Sequence, residues 1–447
     1  MTVSVYTLGC KLNQCESEAI ADAFAAEGFS VVAGDALADL YIVNTCTVTS
    51  KAEQKARRMI RKYATEGQRP TVVVTGCYAQ MERSAIEALA ERVVVVSLDR
   101  KSSLLGLPAF LGTRLVAGID VLEAVRSYAA QHESGGERDA FAYDAATFSY
   151  HSRAFLKIQD GCDNTCAYCR VTLARGAAVS LAADEVVQRA LALEAQGYPE
   201  IVLTGVNITA YHAAGIGLGA LLQRLCVAMG PTMRLRLSSL EPDRLDDELL
   251  AAVADSRIQP HFHIPVQSAS DVVLDRCNRH YTAAMLAEAI AHVRRVKNDP
   301  FIAADIITGL PGETDLEFEQ TFDFIKQHDI AQLHVFPYSP RPGTAMFHAI
   351  DRVPESVRDA RAQRLRNLSA VQTQRYVQRQ IGTTCEVMLE EHSGGQWFGL
   401  TGNYLRVRCL GVPPAAVSGM RATVTLEEGG PRSVPFVRWP SLPLVRS

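Results

Sequence analysis

Cys162, Cys166 and Cys169 stand in the segment QDGCDNTCAYCRV, a C-x3-C-x2-C arrangement directly after an apolar, β-rich run from Phe155 to Ile158. Three thiolates on one tight loop can hold three corners of a cubane [4Fe-4S] cluster, whose iron sites otherwise take four cysteines. The fourth iron then lacks a protein ligand and is open to a small molecule that it can bind and polarise. A Cys3His zinc site is the competing reading, with His151 the one histidine nearby in sequence. A second set of cysteines is dispersed: Cys10 closes VSVYTLGC, Cys46 closes LYIVNTC and Cys77 closes TVVVTGC. Each falls at the carboxyl end of a predicted strand, and in a parallel sheet those ends share the edge where ligands bind. A single strand-end cysteine is ordinarily a buried small hydrophobe. Three in one domain point to a second three-cysteine site.

The elements that must position these thiols follow from length and pattern. At about 150 residues per domain, a chain of 447 residues suggests three domains, and 48% hydrophobic with 21% charged residues excludes a disordered or fibrous protein. Eleven cysteines are too sparse for a disulfide-stapled secreted module, and no secretory leader precedes the first apolar strand, so thiols in a reducing cytoplasm are expected. No apolar run approaches the length of a membrane span, so no membrane partner is expected. A formal charge of −4 gives no global attraction to nucleic acid; any such contact needs local basic surface.

Strand and helix patterns alternate through residues 1–111, which predicts an amino-terminal α/β domain with a parallel sheet. Regularity fades from Gly112, and residues 112–147 read as a linker rich in Gly, Ser and charge. Alternation restarts in residues 148–380, with six strand candidates: Phe155–Ile158, Glu200–Thr204, Met233–Leu237, His261–Val266, Ile302–Ile307 and Gln332–Phe336. Six units predict a partial (β/α)6 barrel, whose active site belongs on the rim at the strands' carboxyl ends. Polar residues sit there, among them Thr204, Asn207, Ser239, Glu241, Gln267 and Asp305. His261, His263 and His334 lie inside strands and read as packed barrel residues. A helix from about Glu355 to Gln380 is the most arginine-rich stretch, and residues 381–447 show the short alternating segments of a small all-β barrel.

Tyr168 fills the aromatic position before the last cysteine, and the loop resembles the S-adenosylmethionine (SAM) motif of radical SAM enzymes. That resemblance implies that Cys162, Cys166 and Cys169 hold a radical-generating [4Fe-4S] cluster, that SAM chelates its open iron, and that Tyr168 packs by the adenine. Two three-cysteine sites in this order, followed by a small β domain, resemble the radical SAM methylthiotransferases across essentially the whole chain. Matching segments include TLGCKLNQCESEA, VNTCTVTSKAEQKARRMIRK, EIVLTGVNI, HFHIPVQSASD, NRHYT, ADIITGLPGET and HVFPYSPRPGTAM. The resemblance implies a second [4Fe-4S] cluster on Cys10, Cys46 and Cys77 that delivers sulfur, with SAM consumed both as radical source and as methyl donor. It further implies SAM contacts among Thr204, Asn207, Ser239, Glu241, Gln267 and Asp305, a carboxyl-terminal TRAM-like RNA-binding module, and a one-electron reductant such as flavodoxin or ferredoxin. A monomer or weak dimer is expected.

The phrases LGCKLNQCES and LTGVN resemble the branch that converts N6-threonylcarbamoyladenosine of tRNA to its 2-methylthio derivative, so the anticodon stem-loop is the implied partner. The basic helix would fit its backbone. The isopentenyladenosine and ribosomal-protein branches are the alternatives. A non-catalytic, metal-containing RNA-binding protein is the alternative from another class. The chain departs from the family pattern after the cluster loop, where Ala177 and Val179 replace two arginines while Arg175, Gly176 and Ser180 remain; Ala269 and Cys277 stand where Gly and Met are usual. Cys15, Cys226, Cys277, Cys385 and Cys409 read as unliganded thiols.

Overall fold

A computed structural model describes residues 1–447 apart from 33, 35, 68, 134–137, 145–151, 430–433 and 441–447. His151, and parts of the expected linker, lie outside the described residues. Five strands, β1 (Thr2–Thr7), β2 (Ser30–Val32), β3 (Leu40–Thr45), β4 (Thr71–Gly76) and β5 (Val93–Val95), form a parallel sheet in the order β2-β1-β3-β4-β5. The central strands LYIVNT and TVVVTG are buried along their whole length, as unbroken apolar runs covered on both faces should be. Helix α1 (Lys11–Ala26) belongs to two cores at once: Ile20 and Phe24 pack under this sheet, while Cys15 and Ala19 pack into the next domain. Helix α2 (Ser50–Thr65) covers the opposite face through Ala56, Ile60 and Tyr63.

Regular structure does not fade at Gly112. Helices Leu107–Val116 and Val121–Glu133 occupy that region, and Leu111, Leu122, Val125 and Tyr128 complete the core beside Val3 and Val94. The spacing of Leu122, Val125 and Tyr128 is helical, but the charged and Gly-rich residues that follow mask it in composition.

The second domain has six parallel strands in two halves. Ala154–Lys157, Glu200–Thr204 and Arg234–Leu237 form one sheet, and His261–Gln267, Phe301–Thr308 and Gln332–Pro337 the other. Parallel bridges Leu235–Ile258 and Ser239–His263 join them into one partial barrel. The last five strands, Thr384–Ser393, Gln396–Thr401, Arg406–Leu410, Arg421–Glu427 and Phe436–Arg438, close a small barrel. It docks on strand starts: Tyr404 stacks on His261, Phe301 joins the small barrel's core, and Arg236, paired with Glu200, donates to Gly402 O at 2.9 Å. The opposite, carboxyl ends of the parallel strands stay free for the site. Among the described residues no helix is long and apolar enough to cross a membrane.

The two α/β domains meet through a buried ionic knot. Glu16 of α1 accepts from Lys101, from Lys157 at 2.7 Å and from Arg175 at 3.1 Å. Asp160 pairs with Lys157 at 2.7 Å, Arg175 at 3.0 Å and Arg138. Burial alone would raise the pKa of Glu16, but these cations overcome it and hold the carboxyl well below the ordinary range. Asp160 is depressed in the same way. Stabilisation by groups with depressed folded pKa values is present above their unfolded values and is lost as pH falls through the folded ones. Glu16→Gln strands Lys101, Lys157 and Arg175 with one carboxylate, and is expected to cost about 3–5 kcal/mol. Chemical denaturation reads this as a lower midpoint; an unchanged midpoint contradicts the role of the knot.

Candidate active site and metal centres

The loop carrying Cys162, Cys166 and Cys169 is shaped by its glycine and its backbone. Gly161 has φ +68°, and a Cβ there would collide with the carbonyl of Ala177. Cys162 N–H donates to Gly176 O at 3.1 Å, and Thr172 Oγ1 bonds the carbonyls of Cys162 and Asn164, both at 3.2 Å. Cys169 N–H donates to Cys166 O at 3.0 Å, which folds the three thiols toward one another. Burial and then the Cys166 and Cys162 thiolates push Cys169 up to about 12. Arg279 donates to Cys166 Sγ at 3.1 Å and is itself held by Glu241 and Tyr281.

The dispersed thiols converge at the edge of the first sheet. Cys10 follows β1 by three residues and caps α1, Cys46 directly follows β3, and Cys77 begins the short helix Cys77–Met81 directly after β4. The approach is close: a Cβ on Gly9, at φ +109°, would lie 2.7 Å from Cys46 Cβ and 3.1 Å from its Sγ. Burial, then Cys10 and Cys77, push Cys46 up to about 12. Burial and the neighbouring thiols thus oppose ionisation of Cys46 and Cys169, and a shared cationic centre would reverse that. An iron-sulfur cluster fits that donor chemistry. The surroundings suit the net negative charge of such a thiolate-bound cluster as well, because the knot beside Cys10 and Cys77 holds two carboxylates, Glu16 and Asp160, against the cations Lys101, Lys157, Arg175 and Arg138.

One short helix, Val171–Arg175, connects the two sets. It starts two residues after Cys169; its Ala174 packs against Cys77, and Arg175 enters the knot. A second interdomain clasp sits beside it. Glu53 of α2 accepts from Thr47 at 2.6 Å, from Arg170 at 3.2 Å and from Arg341. Between the domains lies a cavity of about 170 Å³ lined by Val48 and Thr49 on one side and by Tyr168, Cys169, Gln267, Asp305 and Tyr338 on the other.

Residues 156–325 match the model of the radical SAM superfamily, and residues 2–97 match uncharacterized protein family UPF0004. Threonylcarbamoyladenosine tRNA methylthiotransferase MtaB of Treponema pallidum is 38% identical over 95% of this chain and 98% of its own. The protein of the same name from Bacillus subtilis is 34% identical, covering 91% and 90%. The chain belongs to the MtaB-type radical SAM methylthiotransferases. Among solved structures, the radical SAM methyltransferase TsrM of Kitasatospora setae superposes with a TM-score of 0.53 over 77% of each chain. At 15% identity that likeness is one of fold. Methylthiotransferases of this superfamily use SAM and a [4Fe-4S] cluster.

Within this methylthiotransferase the predicted rim residues divide. Tyr168, Gln267 and Asp305 face the cavity with Cys169; Thr204, Asn207, Ser239 and Glu241 do not line it. Asn207 N–H donates to Gln159 Oε1 at 2.8 Å, and its own buried Nδ2 has no partner among the described residues. Glu241 reaches the cysteine loop through Arg279. His261 is packed against Tyr404, as expected, but His263 and His334 are not core residues. They flank Asp305: His263 Nε2 lies 2.8 Å and His334 Nδ1 3.1 Å from its Oδ1, and Ser239 Oγ lies 3.0 Å from His263 Nδ1. Burial would raise the Asp305 pKa, but the two imidazoles hold it below the ordinary carboxylate range. Alternation along HFHIPVQ places His261 and His263 on one face, but His261 meets Tyr404 of the small barrel while His263 meets Asp305 of the neighbouring strand. Arg341 stands at a strand end on the rim, as the sequence pattern places it, whereas Arg170, Arg279 and Glu53 carry no such signal, because their charged partners lie far away in sequence.

Gly161→Ala places its methyl against the Ala177 carbonyl. The expected outcome is a folded protein that binds about four fewer irons per chain after anaerobic reconstitution; full iron content would show that the loop tolerates the side chain.

Proposed function

We propose that the chain converts N6-threonylcarbamoyladenosine in the tRNA anticodon stem-loop to its 2-methylthio derivative. The observation that carries this reading is the cavity between the domains, bordered by Cys169 of one thiol set and by Val48, two residues after Cys46 of the other. The shared name of relatives that align along nearly all of this chain supports the choice of nucleoside. In this reading Cys162, Cys166 and Cys169 ligate the cluster that binds SAM, and Cys10, Cys46 and Cys77 ligate a second [4Fe-4S] cluster. Once bound, the clusters supply the one-electron cleavage of SAM and the sulfur to be transferred.

The chain's own residues then do the positioning. Tyr168 offers an aromatic surface for the adenine of SAM, and the carboxylate of Asp305, kept ionised by its two imidazoles, accepts from hydroxyl or amino groups in the cavity. Arg279 offsets negative charge at Cys166. The amino-terminal α/β domain, whose core extends through the helix Val121–Glu133, serves as the sulfur-delivering domain, with residues 148–380 as the radical SAM domain and 381–447 as a TRAM-like module, in a cytoplasmic enzyme reduced by flavodoxin or ferredoxin.

Nucleoside mass spectrometry of tRNA from a deletion strain tests the reading. The 2-methylthio derivative is expected to vanish, to return with the wild-type chain, and to stay absent with Cys46→Ala or Cys166→Ala. Unchanged content in the deletion strain refutes the tRNA assignment. Iron analysis separates the two sets: about eight irons per chain are expected for wild type and about four for the Cys10→Ala, Cys46→Ala, Cys77→Ala triple variant.

A further inference from the structure

We infer that the exposed face of α2 is the track on which the enzyme binds the phosphodiester backbone of its RNA. The inference rests on the tRNA reading above and adds where the RNA lies. α2 carries Lys51, Lys55, Arg57, Arg58, Arg61 and Lys62, and its one acid, Glu53, faces inward. Glu53, Ala56, Ile60 and Tyr63 are buried at helical spacing. On the opposite face Lys51, Lys55, Arg58 and Arg61 are exposed and make no side-chain ion pair or hydrogen bond among the described residues. At 1.5 Å per residue this row spans about 15 Å. Unpaired, solvated cations in a line are what releases counterions from a nucleic-acid backbone; cations already neutralised by carboxylates do not.

The arginine-rich helix Glu355–Gln380 is a poorer track. Arg361 pairs with Glu313 at 2.6 Å and Asp315 at 2.7 Å, Arg364 with Glu319, and Arg379 with Asp329 at 2.8 Å. Arg358 is committed to the carbonyl of Tyr338. In the small barrel Arg406, Arg421 and Arg438 likewise pair with Glu391, Glu386 and Glu427.

Position favours α2 as well. Its cap residue Thr49, with Val48, forms the lip of the cavity, and Ser50 bonds Ser339 of the barrel at 2.6 Å. The Glu53 clasp to Arg170 and Arg341 fixes the helix relative to the barrel. A backbone held along α2 therefore leads straight to the cavity mouth.

The test is fluorescence anisotropy with an unmodified tRNA transcript and the reconstituted full-length enzyme, titrated over a range of potassium chloride concentrations. Lys51→Gln, Lys55→Gln, Arg58→Gln and Arg61→Gln are each expected to lower the slope of log affinity against log salt by about one, and the quadruple variant by about four. The quadruple variant should also bind about tenfold or more weakly at low salt. Iron content and thermal midpoint serve as fold controls, and a quadruple variant that exchanges Lys for Arg and Arg for Lys should keep the wild-type slope. Arg366→Gln with Arg375→Gln, on the other helix, should change the slope little. An unchanged slope in the quadruple glutamine variant, beside a steep wild-type slope, overturns the assignment of α2 and assigns its cations to another anionic partner such as an acidic protein. A wild-type enzyme with no salt-dependent RNA binding would instead overturn the tRNA reading itself.

Discussion

A single carboxylate, Glu16, holds together parts that come from four places in the chain. Lys101 reaches it from the first domain, Lys157 from the first barrel strand, and Arg175 from the short helix after the cysteine loop, all in a region sealed from solvent. A buried ion cannot exchange its partners for water, so the geometry of the three cations is coupled to the placement of α1. Because α1 also feeds Ile20 and Phe24 into one core and Cys15 and Ala19 into another, the ionic knot and the apolar packing enforce the same relation between domains. The convergence of Cys10, Cys46 and Cys77 beside the barrel depends on that relation.

The interface carries two such clasps. Glu16 binds Arg175, and Glu53 binds Arg170 and Arg341 beside the cavity. Both use Arg residues that flank the helix Val171–Arg175 or sit on the barrel rim, and Arg offers several donors in fixed directions where Lys offers a point charge. The small β barrel reaches this region through Tyr404, whose ring lies 5.8 Å from Lys11 Nζ at the start of α1. It grips the other end of the strands, where Arg236, His261 and Tyr404 form a stacked, hydrogen-bonded seat.

Much of the framework was legible in the sequence because it rests on local periodicity. The strands that end at Cys46 and Cys77 hold unbroken apolar runs, the one before Cys10 is β-rich, and the six barrel strands recur with intervening helical patterns. The cysteine loop is compact in sequence, so its spacing carries its chemistry. Charge was read less well. Arginines in Glu355–Gln380 look like a basic surface in one dimension, yet their carboxylate partners Glu313, Glu319 and Asp329 come from other segments. Conversely, Lys157 in a strand and Glu16 in a helix look like ordinary surface residues until tertiary packing buries both. The polar pair His263 and His334 was misjudged for the same reason: the strand pattern shows two faces but not which of them meets Asp305.

The five-residue helix Val171–Arg175 has a mechanical consequence. It rises only about 7.5 Å, and it is braced at one end by the cysteine loop and at the other by Ala174 against Cys77 and Arg175 against Glu16. Swinging the two domains apart like a jaw would pull Arg175 out of a dry, charged pocket, so that opening is costly. In the proposed reaction a base stacked within an RNA loop would then do the moving, turning out of its stack to enter through the lip at Val48 and Thr49.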